Sequence, residues 1–416
     1  MNTICTDVLV LGSGPSGFAA AYTAAKLGAK VILVEQNGDV GGISTSGLMS
    51  HWTGSCGSPL YVELLKRSAE LNENEHKGVI TKYIDPEKLK TLYLEMLYDA
   101  GVKIMLNTFA LNALCDGDKV LGACVANKSG QHSIYAKVTI DATGDGDIAA
   151  DCGAEYIKGR ESDGKMQPVT LMFKVGGVDY SCAAFIPSFE TTYDTPKGEL
   201  QALAREHLTF PAGHILTYPS TLPGVVTCNM TNVIDIDGTN ADDLVKATII
   251  CRKQIPKITE YLRTYVPGFE NCYVISSASM MGVRETRHFK GKYTLTEDDI
   301  AQARQFEDYV VKDAYFNFDV HNITGSGLDK TGVQHNFKQK KGYTIPYGCL
   351  VPQKKQNLLL CGRNISGTHM AHSNFRVMPI CVGIGEAAGA AAALSVKTGV
   401  PLDEIKAQSV REAIGI

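Results

Sequence analysis

The sequence predicts an α/β fold class in which a parallel-sheet domain carrying a β-meander is interrupted by an inserted α+β domain. Three observations predict it. A short strand, an Ala-rich helix and a second strand open the chain; three apolar stretches separated by turn-formers follow; and the strand-then-helix style returns only near the C-terminus. The expected division is residues 1–155 with 345–416 for the first domain and 156–344 for the insertion.

Taken in order, Thr6 to Leu11 reads as a buried strand, Ser16 to Leu27 as a helix and Lys30 to Val34 as a second strand, a βαβ unit. Helices are expected from Pro59 to Leu71 and from Pro86 to Ala100, because proline suits a first turn whose N–H has no intrahelical acceptor; Gly101 stops the second. Asp116-Gly117-Asp118 and Lys128-Ser129-Gly130 cut Phe109 to Ile140 into a three-stranded meander. In the insertion, strands are expected at Val169 to Val175 and Val225 to Asn229, and helices at Ala241 to Val266 and Glu297 to Phe306. Asn357 to Cys361 then reads as a buried strand. Ile384 to Lys397 reads as a helix so rich in Ala and Gly that it must pack closely, a core face and not a membrane anchor.

A chain of 416 residues suits two cores better than one. Its net charge of -4 lacks the excess of Lys and Arg that a nucleic-acid surface needs, and Lys338-Gln339-Lys340-Lys341 reads as a solvated loop. No basic and apolar leader precedes the first strand, and no run of about 18 apolar residues occurs. The expectation is a cytoplasmic protein without a membrane or nucleic-acid partner. None of the 12 cysteines stands in C-x-x-C spacing, which disfavours an iron–sulfur cluster, a structural zinc or a dithiol redox pair; no metal is expected, and most of the thiols read as buried and reduced.

Gly12-Ser13-Gly14-Pro15-Ser16-Gly17 lies between the first strand and first helix, and Glu35, with Gln36 beside it, ends the second strand about twenty residues on. In this context the first glycine permits the tight turn, Gly14 admits a pyrophosphate, and Gly17 lets helix and strand pack closely. The helix N-terminus offers free N–H groups and partial positive charge to phosphates. Glu35 is placed to accept hydrogen bonds from a ribose diol, which favours an adenosine without a 2′-phosphate.

The motif alone does not separate NAD from FAD. Val40-Gly41-Gly42-Ile43-Ser44-Thr45-Ser46-Gly47 resembles the second glycine loop of FAD proteins, and Ala142-Thr143-Gly144-Asp145 after a meander resembles the glutathione-reductase-type FAD fold. Gly362-Arg363-Asn364-Ile365-Ser366, then Arg376-Val377-Met378-Pro379 and Gly385-Glu386-Ala387-Ala388-Gly389, are similar to the FAD-dependent oxidoreductase family distantly related to fumarate reductase flavoproteins. The resemblance implies one FAD in a Rossmann-like domain, held by these segments. Arg363 stands where many such proteins place an Asp on the ribityl chain, so that contact is not carried over. The resemblance further implies that the helix starting near Gly385 aims its N-terminus at the flavin pyrimidine and stabilises the anionic reduced ring, unless its small residues serve packing alone. No cysteine pair follows the first helix, against a disulfide reductase, and no second G-x-G-x-x-G suggests a separate NAD(P)H domain.

His369, His372 and Arg376 directly precede that helix and are expected to border the isoalloxazine. A neutral His takes a proton while the flavin takes hydride, and Arg holds a carboxylate; Arg376 could instead partner Glu386 or the backbone. Arg284 and Arg287 flank Glu285 in Met281 to Arg287, a segment resembling a motif of the same family, and are candidates for a substrate clamp or an interdomain ion-pair network. His51 follows the second glycine loop, but nothing local requires a covalent flavin link. The expected function is hydride exchange between flavin N5 and a small polar, anionic substrate, with an electron donor or acceptor and an oligomeric state the sequence does not name. The direction is open between C–H oxidation and enoate reduction. A flavin monooxygenase and a non-catalytic FAD-binding protein are the alternatives.

Overall fold

The structure, a computed structural model, describes residues 2–329 and 337–416. The first half-domain comprises β1 (Asn2–Leu11), α1 (Pro15–Lys26), β2 (Val31–Val34), α2 (Pro59–Glu70), α3 (Pro86–Asp99), β3 (Lys103–Met105), β4 (Phe109–Asp116), β5 (Lys119–Asn127) and β6 (Gly130–Asp141). Helices α2 and α3 begin at prolines, as the sequence predicts, and each is capped by the residue before it: Ser58 accepts from the Tyr61 N–H and Asp85 from the Glu87 N–H. The sheet runs β3-β2-β1-β6-β5-β4, with β1 parallel to β2 and β6, and β5 antiparallel to β4 and β6.

The chain continues through α4 (Asp147–Asp151), β7 (Tyr156–Lys158), β8 (Phe173–Gly176), β9 (Asp194–Thr195), β10 (Gly198–Glu199), α5 (Leu200–His207), β11 (Thr217–Pro219), β12 (Val226–Cys228), α6 (Ala241–Tyr265) and β13 (Tyr273–Ser277). Strands β11-β12-β8-β13 form an antiparallel sheet whose buried side chains join those of α5 and α6 in a second core, from Val169 to Ala278 with Leu48. Strand β8 begins later than its apolar run, because Val169 and Thr170 make single bridges to Val233 and Gly282 instead of a ladder.

There follow β14 (Arg287–Phe289), α7 (Glu297–Ala301), β15 (Tyr309–Ala314), β16 (Tyr343–Pro346), β17 (Leu358–Leu360), α8 (His369–Phe375), α9 (Met378–Thr398) and α10 (Ala407–Ile414). Phe289, Val310, Val311 and Tyr343, read from the sequence as part of the insertion, bury their side chains in the first core. Helix α7 stops short of the expected Phe306 because Ala303 takes φ 50°, although the Thr296/Asp299 capping box is made.

Strand β17 slots beside the C-terminal end of β6, parallel to Thr139–Asp141. Helix α9 starts well before Ile384, since Pro379 sits in its first turn where a missing N–H costs nothing. It is long and apolar enough to cross a membrane, yet 83% of its apolar window is buried within the protein. Its closest neighbour is α1: a Cβ on Gly385 would stand 2.0 Å from the Ser16 carbonyl oxygen, and one on Gly389 2.3 Å from that of Ala20. Gly385 is therefore a mid-helix packing residue, not the helix start that the sequence suggested.

Candidate functional site

The C-terminal ends of β1, β2 and β6 meet at a cavity of ≈ 530 Å³ that extends to the inserted sheet. At the βαβ turn, Gly12 takes φ 89°, and a Cβ on it would lie 2.4 Å from the Ala142 carbonyl oxygen. A Cβ on Gly17 would lie 1.9 Å from the Gly12 oxygen, so these two glycines serve close packing and Gly17 does not line the cavity. Gly14 differs. Its φ of -56° suits any residue, a Cβ there would meet nothing within 4 Å, and it lines the cavity with Pro15 and Ser16. No side chain caps α1, so its first-turn N–H groups are left for an anion.

Glu35 is buried in the cavity wall beside Gln36. Its Oε2 accepts from the Ser13 N–H (2.9 Å) and Oγ–H (2.6 Å), and its Oε1 from the Asn37 N–H and Nδ2–H (both 2.8 Å). Two of these four donors are side-chain groups that a ribose diol can replace by rotation, while the backbone pair keeps the carboxylate in place.

Gly42 also lines the cavity, but Gly41, Ser46, Gly47 and Gly362 do not. They shape its wall from behind. The Gly41 N–H donates to the Ser13 carbonyl (2.8 Å), the Gly47 N–H to that of Gly42 (3.0 Å), and the Ser46 carbonyl accepts from the Ser279 N–H (3.0 Å). A Cβ on Gly362 would strike the Ser16 Oγ at 2.4 Å.

At the end of β6, Asp141 accepts from the Thr143 N–H and Oγ–H and from the Ala149 N–H, which pins the Ala142-Thr143-Gly144 turn; burial lifts its carboxyl to about 6. Asp145 and Arg363 close this wall, Arg363 Nη2 donating to Asp145 Oδ1 at 2.6 Å.

The segment from Arg284 to His288 fans out from the inserted domain. Arg284 lines the cavity and donates to the Pro168 carbonyl at 2.6 Å. The Thr286 hydroxyl donates to Asp145 Oδ1 (2.6 Å), and Arg287 Nη1 donates to the Asp145 carbonyl and to Asp147 Oδ1 (both 2.9 Å) with its guanidinium over the Tyr156 ring. Arg287, weighed from the sequence as a substrate clamp or an interdomain ion-pair residue, does not line the cavity; it braces the turn after β6, as the second of these has it.

His369 and His372 are placed differently from the sequence expectation. Neither lines the cavity, because α8 directs both into the protein toward Glu285. The His369 Nδ1–H (2.5 Å) and His288 Nε2–H (2.7 Å) donate to the same Glu285 Oε1, and the His372 ring stands edge-on to His288. Glu285, His288 and His372 are near enough to hold a metal ion. However, nitrogen and oxygen ligands about 2 Å from a tetrahedral ion lie roughly 3.3 Å apart, and the two short contacts are hydrogen-bond distances. The group is a buried, hydrogen-bonded cluster around the Glu285 carboxylate.

Burial works against the Glu285 charge, but His288 and His369 hold the carboxyl well below its ordinary range; burial also opposes the His369 charge, which Glu285 nevertheless raises above its ordinary value. The His369 contribution to stability is therefore complete below the ordinary 6.5 and is lost as pH rises through the raised value, whereas that of Glu285 is present above 4.5 and lost as pH falls through the depressed one. Glu285→Gln is expected to cost about 1–3 kcal/mol at pH 6, by leaving a buried donor poorly paired, and to flatten the loss of stability above that pH. Urea unfolding of both proteins across pH 5–9 (about two units to either side of neutrality) measures it.

Tyr218, Asn229, Asp319 and His321 also line the cavity and were not singled out from the sequence. Asp319 is the partner of Arg376, whose Nη2 donates to its Oδ2 (2.9 Å) and its carbonyl (2.8 Å); His321 Nε2 stands 3.6 Å from the same Oδ2. Glu386, the partner weighed for Arg376, is instead bonded by the Ser58 hydroxyl (2.6 Å) and the Leu60 N–H (3.2 Å) and is lifted by burial to about 7. Burial would raise the Asp319 carboxyl, but His321, Arg376 and Arg284 hold it well below the usual range. Burial, aided by Arg284, pushes His321 down to about 4, and burial with Arg376 nearby brings Arg284 down to about 10. Arg376, Val377 and Met378 bring the start of α9 to this wall. His51 lies outside the lining, its ring between Tyr83 and Tyr218.

Residues 7–414 match the family described as FAD dependent oxidoreductase. A stretch of the chain is similar to digeranylgeranylglycerophospholipid reductase of Picrophilus torridus, 27% identical over 154 residues, which are 33% of this chain and 39% of that protein. Another match is thiamine thiazole synthase of Methanococcus aeolicus, 31% identical over 153 residues, 35% of this chain and 57% of that protein. The chain thus spans less than two thirds of the length of these curated relatives. In fold, it is similar to a geranylgeranyl bacteriochlorophyll reductase-like protein from Thermoplasma acidophilum, with 14% identity, a TM-score of 0.51 and coverage of 99% of this chain and 83% of that one. It is also similar to p-nitrophenol 4-monooxygenase from Pseudomonas putida, with 12% identity, a TM-score of 0.51 and coverage of 100% and 87%. With an open Gly14, an uncapped α1 and an anchored Glu35 on one cavity wall, and a family match across nearly its whole length, the chain belongs to the FAD-dependent oxidoreductases, enzymes whose cofactor is FAD.

Proposed function

We propose that this enzyme exchanges hydride with a small anionic substrate held by Arg284 and Arg376, with His321 as the proton-transferring group. The observation that carries the reading is Arg284. Its guanidinium is buried in the cavity wall, its hydrogen bond goes to a neutral carbonyl, and among the described residues no carboxylate forms an ion pair with it. The nearby Asp319 carboxylate is already paired with Arg376, so Arg284 is a buried cation without a counter-ion of its own, and a substrate carboxylate that accepts two of its N–H groups lowers that cost.

In this reading the residues from Gly12 to Ser16 and from Thr143 to Asp145 hold the pyrophosphate, Glu35 and Gln36 the adenosine ribose, and Gly42, Ile43, Thr53, Val377 and Met378 the ring system. FAD supplies a two-electron acceptor or donor for a substrate carbon. Asp319 fixes Arg376 and faces His321, which is neutral at ordinary pH and so begins as a proton acceptor, as oxidation beside a hydroxyl requires.

Arg284→Met keeps the side-chain length and removes the charge. It is expected to raise the half-saturating substrate concentration about 10- to 100-fold, the cost of a charge-assisted hydrogen bond, with a smaller effect on the maximal rate. An anaerobic screen of hydroxy acids, enoates, amino acids and sugars, followed by bleaching of the visible flavin band, identifies the substrate with which to measure it. Unchanged saturation in the variant would remove Arg284 from the clamp.

A further inference from the structure

We infer that the substrate is an aromatic monocarboxylate, its carboxylate on Arg284 and its ring against Phe189; the inference rests on the anionic-substrate reading and narrows it. The first argument is charge. Arg284 and Arg376 face one carboxylate, Asp319, and His321 is neutral, so this end of the cavity carries a single uncompensated positive charge. Glu190, the other acidic residue on this side, is exposed. One substrate carboxylate balances the site, and a second would be buried without a partner.

The second argument is the body of the pocket. The cavity lining is rich in rings and apolar groups, Met172, Phe189, Leu216, Tyr218, Phe316 and Phe318, with Thr170, Ser188, Asn229 and Asn317 as its neutral polar members beyond the cofactor segments. The Phe189 and His321 rings both line the cavity and stand edge-on to one another at 5.2 Å, and Phe189 is backed by the His214 ring at 5.1 Å, which holds it in place. Burial, with His321 nearby, holds His214 near 3, and its Nε2 is bonded to the Asn229 carbonyl, so this support adds no charge. The Thr170 hydroxyl is already engaged with Thr231 and Asn229. The few remaining neutral polar groups replace the water of a polyhydroxylated or dicarboxylic body only in part, whereas an aryl group fills the space between the rings by burial alone.

The test uses the FAD-loaded enzyme and two matched pairs of probes: 3-phenyllactate against malate, and cinnamate against fumarate. Binding is read from the perturbation of the flavin absorption spectrum on titration. Each aryl acid is expected to bind at least about ten-fold more tightly than its dicarboxylic counterpart. Phe189→Ala should narrow that preference, and Arg284→Met should weaken both classes alike. Equal or tighter binding of malate and fumarate overturns the aromatic assignment and leaves the anion site standing. Failure of all four probes to perturb the spectrum, or binding that is unaltered in Arg284→Met, overturns the anion site and this inference together.

Discussion

Gly14→Val is expected to yield a folded but nearly colourless protein, with less than about a tenth of the wild-type flavin. The backbone at Gly14 is in a region open to every residue, and a Cβ there touches nothing within 4 Å, so the substitution does not strain the apo fold. Instead, the two methyl groups of valine enter the space in front of the α1 N-terminus, where a diphosphate would meet the free N–H groups. Gly12 and Gly17 make the contrast: a side chain at either one would drive into backbone, so Gly12→Val should fail to fold stably and not merely fail to bind. Absorbance at the flavin maximum, chromatography of the cofactor released by heat, and a thermal unfolding curve separate the two outcomes. Full flavin occupancy in the Gly14 variant would contradict the site as described.

His321→Ala is expected to slow substrate-linked flavin reduction by about 10²- to 10⁴-fold while leaving FAD bound, the range for loss of a positioned acid–base. Its imidazole lines the cavity but belongs to none of the glycine segments, and its pKa near 4 means that the wild-type rate of substrate oxidation falls only as pH drops through that value and is flat above it. Stopped-flow reduction with the substrate found in the screen gives both the size and the pH profile. His372→Ala is the matched control, since its ring is buried behind the wall. A loss of the same size there, with none at His321, would return the proton role to the histidines of α8.

Much of the cofactor half is legible in the sequence because its constraints are local. The turn, the helix start and the acidic residue after the second strand are fixed by spacing within one βαβ unit, and the meander by its turn residues. The substrate half is not local. Asp319 and His321 stand two apart, a pattern with no chemical signature by itself, and they gain meaning only where Arg376 and Arg284 are brought to them by tertiary packing. The two histidines of α8 are conspicuous in sequence for the opposite reason: they lie beside a cavity-lining arginine along the chain, but their rings are taken up in the interior, His369 by Glu285 and His372 against His288. Gly385 misleads similarly, since the small residue that looks like a helix start is what lets two helices touch.

That helix contact bears on how the protein is made. Helix α1 presents the phosphate-facing turn, yet it is covered by α9, and β6 is completed by β17; both partners are translated hundreds of residues after the elements they join. The inserted core between Val169 and Ala278 draws almost entirely on contiguous chain and can assemble while the ribosome is still working. The flavin-binding half has to wait. Its glycine turn is completed only once α9 and β17 have been made, so FAD loading is expected to follow their synthesis.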